Sequence, residues 1–342
     1  MKKCSVVILN WNGEEMLRRF LPIVLQHTQS SDVEIVVADN GSSDGSLDYL
    51  RSQPVRLITL KNNYGFAGGY NRAIEQVESE YTLLLNSDVE VTAHWLDRML
   101  EYMDGHPEVY AAQPKILSWY SKQAVDAGEQ QHVRFEHAGA SGGMMDILGY
   151  PYCRGRIMSY IEEDAGQYDT VAPIFWASGA CMLMRTRVYK SLGGLDERFY
   201  AHQEEIDLCW RIQNGVELCG TSRIVVLPQS VVYHVGGGTL GYENPRKTFL
   251  NFRNNLLMLR KNLPVSRLFW VMVVRFFMDY LAALQMLLTK QVANAWSVVQ
   301  ARWEYQKMKQ KYPISGSKNR YAVSQLAPRS IVFDFYLRKM KK

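Results

Sequence analysis

The chain has no Cys-x-x-Cys pair, no Gly-x-Gly-x-x-Gly behind its first apolar run and no Gly-x-x-x-x-Gly-Lys-Ser/Thr anywhere in its 342 residues. The last two absences set aside the usual dinucleotide and P-loop readings of an α/β sequence. The five cysteines (Cys4, Cys153, Cys181, Cys209 and Cys219) are odd in number and scattered. That argues against a zinc knuckle or a disulfide framework and favours a reducing compartment. Internal repeats and low-complexity tracts are missing too. So is a long apolar run at the start: in MKKCSVVILNWNGEE the run from Val6 ends at Leu9, before Asn10 and Asn12. It reads as a first strand, not as a signal peptide.

Acidic residues are scarce at one end only. Residues 246–342 hold 3 Asp and Glu against 19 Lys and Arg, whereas residues 1–245 hold 31 against 20. A basic C-terminal third suits an anionic partner, either nucleic acid or a membrane face.

Up to about residue 115, short β-rich runs alternate with helical patterns. SVVILNW, VEIVVADN, VRLITLK and YTLLLN read as strands, and EEMLRRFLPIVLQHT, SLDYLRS and GGYNRAIEQVE as helices. Near-continuous apolar strands are what a parallel sheet covered on both faces needs, so the spacing predicts a doubly wound α/β sheet. In such a sheet, ligands sit beyond the carboxyl ends of the strands. Those ends are Asn10-Trp11-Asn12, Asp39-Asn40-Gly41, Lys61-Asn62-Asn63 and Asn86-Ser87-Asp88, four polar clusters on one rim. The plainer reading is that Asn, Asp and Gly are turn formers. Residues 115–172 read as irregular, partly mobile structure. From PIFWASGACMLMRTRVYKSLGGLDERF a strand, a helix and a Gly-Gly turn follow.

Several residues carry candidate chemistry. Asp39 is placed to accept a hydrogen bond from a base imide or a sugar hydroxyl, whereas Asp44 suits a helix cap. The glycines of YGFAGGYNRAI precede a helix whose N-terminus suits a phosphate. Asp88 ends its strand as a hard oxygen ligand; magnesium and manganese take one or two carboxylates and fill the rest of their shell from phosphate oxygens. In YAHQEEIDLCWRIQNGV, Glu204, Glu205 and Asp207 open a helix, either to compensate its dipole or to face a crevice, and Asp207 is spaced to pair with Arg211. His234, before three glycines, is a structural histidine or a further metal ligand. Within RLFWVMVVRFFMDYLAALQMLL, residues 267–288, Arg275 and Asp279 lie one turn apart. The length is enough to span a bilayer, but the charges favour a helix lying at the interface or packed on the domain.

Seven blocks in order resemble family 2 glycosyltransferases of the rhamnosyltransferase-like branch, across residues 3–265: VVILNWNG, VVADNGSSDGS, NNYGFAGGYNRAI, LLLNSDVEV, WASGACMLMRTRVYKSLGGLDERFYAHQEEIDLCWRI, VVYHVGGGT and FLNFRNNLLMLRKNLP. The resemblance implies a GT-A fold over residues 1–245, with a nucleotide-sugar half (1–115) and an acceptor half (116–245), followed by a basic, membrane-associating helical extension (246–342). It implies inverting, metal-assisted transfer of a sugar such as rhamnose from a dTDP- or UDP-sugar to a lipid-linked or surface-polysaccharide acceptor. The setting would be the cytoplasmic face of a membrane, to which the chain is peripherally bound.

Asp39 matches the base-recognising position, and Asn10, Asn12, Asn63, Gly65, Asn71, Asn86 and Ser87 fall with it on the nucleotide-sugar side. Asp88 matches the metal-binding aspartate, with Asn86 in place of the motif's first Asp. His234 matches the histidine near metal and diphosphate, the metal being Mg2+ or Mn2+. Glu205 stands where the family has its general base, with Glu204 as fallback. Trp176, Ser178, Gly179 and Asp207 fall on the acceptor side. Nucleic acid is disfavoured, because the acidic catalytic part would repel it. The rival readings are a non-catalytic partner subunit of the same fold and a nucleotidyltransferase, for which NWNGEE lacks the basic glycine-rich loop.

Overall fold

The computed structural model describes residues 1–215, 223–236, 244–312 and 321–339; Cys219 and most of the glycine run after His234 fall outside them. The alternating runs fold as β1 (Lys2–Asn10), α1 (Glu14–Gln26), β2 (Val33–Asp39), α2 (Ser46–Leu50), β3 (Arg56–Thr59), α3 (Gly65–Glu75) and β4 (Ser79–Asn86). β1 pairs in parallel with β2 and β4, and β2 with β3. Strand alternation sends Val7, Val36, Ala38 and Leu84 into one apolar layer and Val6, Ile8, Val37, Leu83 and Leu85 into the other. Both faces are covered, hence the continuous apolar runs.

The sheet continues through β5 (Val89–Val91), α4 (Trp95–Gly105), β6 (Ala111–Ser118) and α5 (Trp119–Asp126). Where the sequence reads as irregular, the chain forms a small antiparallel sheet of β7 (Gly143–Met145), β8 (Pro151–Cys153), β9 (Arg156–Ile157) and β10 (Tyr160–Ile161). Strands of two or three residues are too short to show alternation. Their order comes from a distance: buried Asp146 accepts hydrogen bonds from the N–H groups of Leu148 (2.9 Å), Tyr150 (2.8 Å) and Ile331 (3.0 Å).

After β11 (Ala172–Pro173) come β12 (Cys181–Arg185), α6 (Thr186–Ser191), α7 (Glu204–Asn214) and β13 (Ile224–His234). β12 inserts antiparallel between β4 and β6, while β13 runs parallel to β6 and antiparallel to β5 and β11. The main order is therefore β3-β2-β1-β4-β12-β6-β13-β11.

Among the described residues the helices that follow are α8 (Pro245–Asn262), α9 (Val265–Leu288), α10 (Val292–Met308), α11 (Tyr321–Ser324) and α12 (Ile331–Leu337). α8 packs against α7, the loop before it and Gly149 through Asn254, Asn255, Lys261 and Asn262. The inward stripe of α9 is Leu268, Val271, Arg275, Asp279 and Ala283. There Asp279 accepts from Arg275 Nε (3.2 Å) and pairs with Arg302 of α10; Arg275 also donates to Asn255 and lies 4.0 Å from the Tyr150 ring. Among the described residues α9 is the one helix long and apolar enough to cross a membrane, and it carries this charged, buried stripe along one face. Its outward face is apolar: Trp270 and Phe277 are each 67% exposed, with Phe269, Leu281, Leu284 and Leu288 beside them. On α9 and the turn after it, the exposed charges are Arg267 at one end and Lys290 at the other.

Candidate active site

The crevice rim is built where the parallel strands end. Asp39, fully buried, accepts hydrogen bonds from Asn10 Nδ2 (3.0 Å) and the Ser42 N–H (3.0 Å), while Asn10 Oδ1 is buried without a partner. Asn12, in the left-handed region at φ 49°, accepts from the Ser43 N–H (2.7 Å). These ties fix the loop after β2 against the end of β1. Asp44 caps as expected, accepting from the N–H groups of Glu14 (3.0 Å) and Ser46 (3.1 Å).

The N-terminus of α3 is committed to protein rather than aimed at a phosphate: Phe66 N–H (2.8 Å) and Ala67 N–H (3.3 Å) donate to the Tyr200 carbonyl. Gly65, at φ +73°, is where that carbonyl and ring approach, since a Cβ there would lie 2.6 Å from the Tyr200 ring. Asn63 Oδ1 accepts from the Gly65 N–H (2.8 Å), and Asn71 ties α3 to Leu195 and Tyr189. Asn63, Gly65 and Asn71 thus brace the rim rather than line it.

Asp88 and His234, 146 positions apart in the chain, are brought together by the antiparallel pairing of β5 with β13, in which His234 faces Val89. His234 Nε2 lies 3.2 Å from Asp88 Oδ1 and 3.4 Å from Asn86 Nδ2. Burial by itself would raise the Asp88 pKa and lower that of His234; their mutual attraction outweighs it, so Asp88 is lowered and His234 raised well above the usual histidine value. Two ligands each about 2.1 Å from an octahedral cation stand about 3 Å apart, so this pair fits Mg2+ or Mn2+. Among the described residues no group of three or more His, Cys, Asp or Glu is placed to hold a metal ion; a pair serves only where a diphosphate supplies the remaining oxygens. Glu90 points elsewhere, accepting from Trp119 Nε1 (2.8 Å) and pairing with Lys122 (3.2 Å).

Glu205 lies in the first turn of α7. The loop before it holds Tyr200, His202 and Gln203 at φ 67°, 69° and 75°, conformations that non-glycine residues adopt at a cost of about 1–3 kcal/mol each. Asn254 of α8 offsets that strain by donating to the carbonyls of Phe199 (2.9 Å), Ala201 (2.9 Å) and His202 (2.8 Å). Glu204 and Glu205 each keep one buried carboxylate oxygen without a hydrogen-bond partner. Burial pushes the Glu205 pKa up to about 7; burial and then the neighbouring Glu205 charge push Glu204 well above the usual value. A Cβ on Gly179 would sit 3.7 Å from Glu205 Cβ. Beside it, the Ala180 carbonyl accepts from the Asn86 N–H (3.0 Å). One segment, Ser178–Ala180, therefore abuts both the Glu205 helix and the strand end that bears Asp88.

Three expected acceptor residues are buried. Asp207 is fully buried, paired with Arg211 (2.8 Å) and Lys261 (2.8 Å), and accepts from Asn262 Nδ2 (2.8 Å), which locks α7 to α8. Trp176 is buried against Gly143 and donates Nε1–H to the Met144 carbonyl (2.9 Å). Ser178 is buried too, its Oγ–H donating to the Ala138 carbonyl (3.0 Å). The residue that sequence reasoning missed is Glu136, whose carboxylate lies 3.4 Å from His234 Nδ1. Its one signal is a carboxylate in the aromatic, glycine-rich stretch FEHAGASGG.

The profile of glycosyl transferase family 2 matches residues 5–192. The chain belongs to that family. A relative in Mycobacterium tuberculosis, an N-acetylglucosaminyl-diphospho-decaprenol L-rhamnosyltransferase, is 26% identical over 247 residues, 68% of this chain and 76% of its own. A hexosyltransferase of low-salt glycan biosynthesis from Haloferax volcanii is 23% identical over 257 residues, 74% of each chain. Among solved structures, GalNAc-T7 with UDP, GalNAc and Mn2+ superposes with a TM-score of 0.58 at 14% identity, over 92% of this chain and 58% of that one. TarS 1-349 of S. aureus with UDP-GlcNAc gives 0.55 at 15%, over 91% and 82%. The fold of this chain is GT-A.

Proposed function

We propose that this family 2 glycosyltransferase catalyses inverting transfer of a sugar from a dTDP- or UDP-sugar to a lipid-linked or surface-polysaccharide acceptor at the cytoplasmic face of a membrane. The observation that carries the reading is Glu205: a carboxylate with an unpartnered oxygen and a pKa pushed up to about 7, set against the segment Ser178–Ala180, which also abuts the strand end beside Asp88. A base so tuned accepts a proton from a sugar hydroxyl at neutral pH. Glu205 takes that proton while the hydroxyl oxygen bonds to the anomeric carbon, opposite the departing diphosphate, so the configuration inverts. Asp88 and His234 would hold a divalent cation, which when bound supplies positive charge to the leaving diphosphate. Asn10, Asn12 and Asp39 frame the nucleoside end.

Rhamnose as the donor sugar rests on the mycobacterial relative alone. The membrane setting rests on the outward apolar face of α9, flanked by Arg267 and Lys290 and set in a basic third of the chain, the pattern of a helix lying in a lipid interface. Thermal stabilisation by a panel of nucleotide-sugars, with and without Mn2+, tests the donor; saturation at about 100 times Kd raises stability by about 2.7 kcal/mol. A protein stabilised by none of them is the non-catalytic partner subunit instead.

A further inference from the structure

Glu136 reaches His234 from the side of the ring away from Asp88. His234 itself is fixed in β13, between Val89 of β5 and Ser118 of β6. Its two ring nitrogens then divide: Nε2 looks toward Asp88 at 3.2 Å, and Nδ1 toward Glu136 Oε2 at 3.4 Å. Nδ1 is buried without a closed hydrogen bond, and the group that faces it is the Glu136 carboxylate, at ion-pair distance.

Glu136 is held from two directions. Its N–H donates to the Ile116 carbonyl (3.1 Å) in β6, and its carboxylate accepts from the Ala138 N–H two residues on. The Ala138 carbonyl in turn accepts from Ser178 Oγ–H (3.0 Å), in the segment that abuts Glu205. The carboxylate is 4% exposed, so it is not a surface charge that happens to lie nearby.

A histidine that binds a cation through one nitrogen needs the other nitrogen's proton received by an oriented acceptor. Such an acceptor fixes the tautomer and the ring plane. We propose that Glu136 is a positioning residue for the cation site: by receiving the Nδ1 proton it holds the His234 ring with the Nε2 lone pair turned to the space beside Asp88. The chain has Asn86 where the resembled motif has a first aspartate. With one carboxylate fewer at the cation, the orientation of the histidine carries more of the affinity. The inference rests on the cation reading above and adds a residue to it.

Mn2+ binding, followed by the electron paramagnetic resonance of free Mn2+ with UDP present, separates the two. Native chain binds. Glu136→Ala weakens Mn2+ by about 10- to 100-fold, and Glu136→Gln, isosteric and still able to accept from Nδ1–H, falls between. UDP affinity measured in EDTA stays at the native value in both, which reports an intact crevice. With Mg2+ and UDP bound, nitrogen-15 spectra of the native His234 ring show the proton on Nδ1, whereas Glu136→Ala shows mixed tautomers. Native binding with an indifferent Glu136→Ala overturns the positioning role alone. A native chain that binds no Mn2+ overturns the cation reading, and this inference with it.

Discussion

The two halves of the catalytic unit are held together by different means. From β1 to β4 the chain is a regular alternation whose apolar side chains sort by strand parity into two layers, and its polar residues gather at the strand ends because the topology puts them there. From β7 to β11 the strands are two or three residues long, and the longer elements that follow are tied to one another by polar side chains. Position is set by side chains reaching across the sequence: Asp146 to Ile331, Asp207 to Lys261 and Asn262, Asn254 to the loop before Glu205. The first half sets its polar strand ends on one rim by packing; the second holds the proposed base, Glu205, by polar ties. Substitutions in the two should fail differently.

The largest effect is expected at the base itself. Glu205→Gln should lower transfer by about 10²- to 10⁴-fold while leaving nucleotide-sugar binding intact; retained turnover would remove Glu205 from the mechanism. The same change should stabilise the fold at pH 8. The folded pKa, about 7, lies above the ordinary 4.5, so the native chain holds this proton more tightly than the unfolded one. That contribution is complete below about pH 4.5 and lost as pH rises through 7. Removing the charge should restore of order 2 kcal/mol at pH 8, read from urea unfolding.

Next is Asp279→Ala, which leaves Arg275 and Arg302 buried with an unbalanced charge and should cost about 3–5 kcal/mol in the same assay. A loss under 1 kcal/mol would mean the α9–α10 contact contributes little to holding the second half. Third, Phe277→Asp with Leu281→Asp should weaken binding to phosphatidylglycerol vesicles by about tenfold or more at unchanged melting temperature. Equal flotation of both proteins would move the membrane contact elsewhere. The smallest effect belongs to the regular half: Asp44→Ala removes the acceptor for the N–H groups of Glu14 and Ser46 and should cost about 1 kcal/mol at pH 7, a difference that fades as pH falls and Asp44 protonates.

The same contrast governs how much could be read beforehand. Strands β1 to β4 and the helices between them were legible because each repeats one period over enough residues to register. Asp88, His234 and Glu205 were legible through their motifs, although only the β5–β13 pairing brings the first two together. The small sheet was not, since two-residue strands carry no period. Nor was Glu136, whose meaning is a contact across 98 positions of chain with His234. Asp207 and Trp176 were misplaced because a polar or aromatic residue beside a catalytic motif reads alike whether it faces the crevice or the core; neighbours from α8 and β7 decide which.

The Asn254 clamp bears on where a working enzyme can be cut. A fragment ending at residue 245 keeps Asp39, Asp88, Glu205 and His234. It also loses the amide that restrains three left-handed residues ahead of Glu205, along with the lysine that pairs with Asp207 and the asparagine that donates to it. On the proposed function, the smallest piece expected to be active is therefore longer than the piece that bears the proposed site residues, and the added length is the first helix of the basic tail.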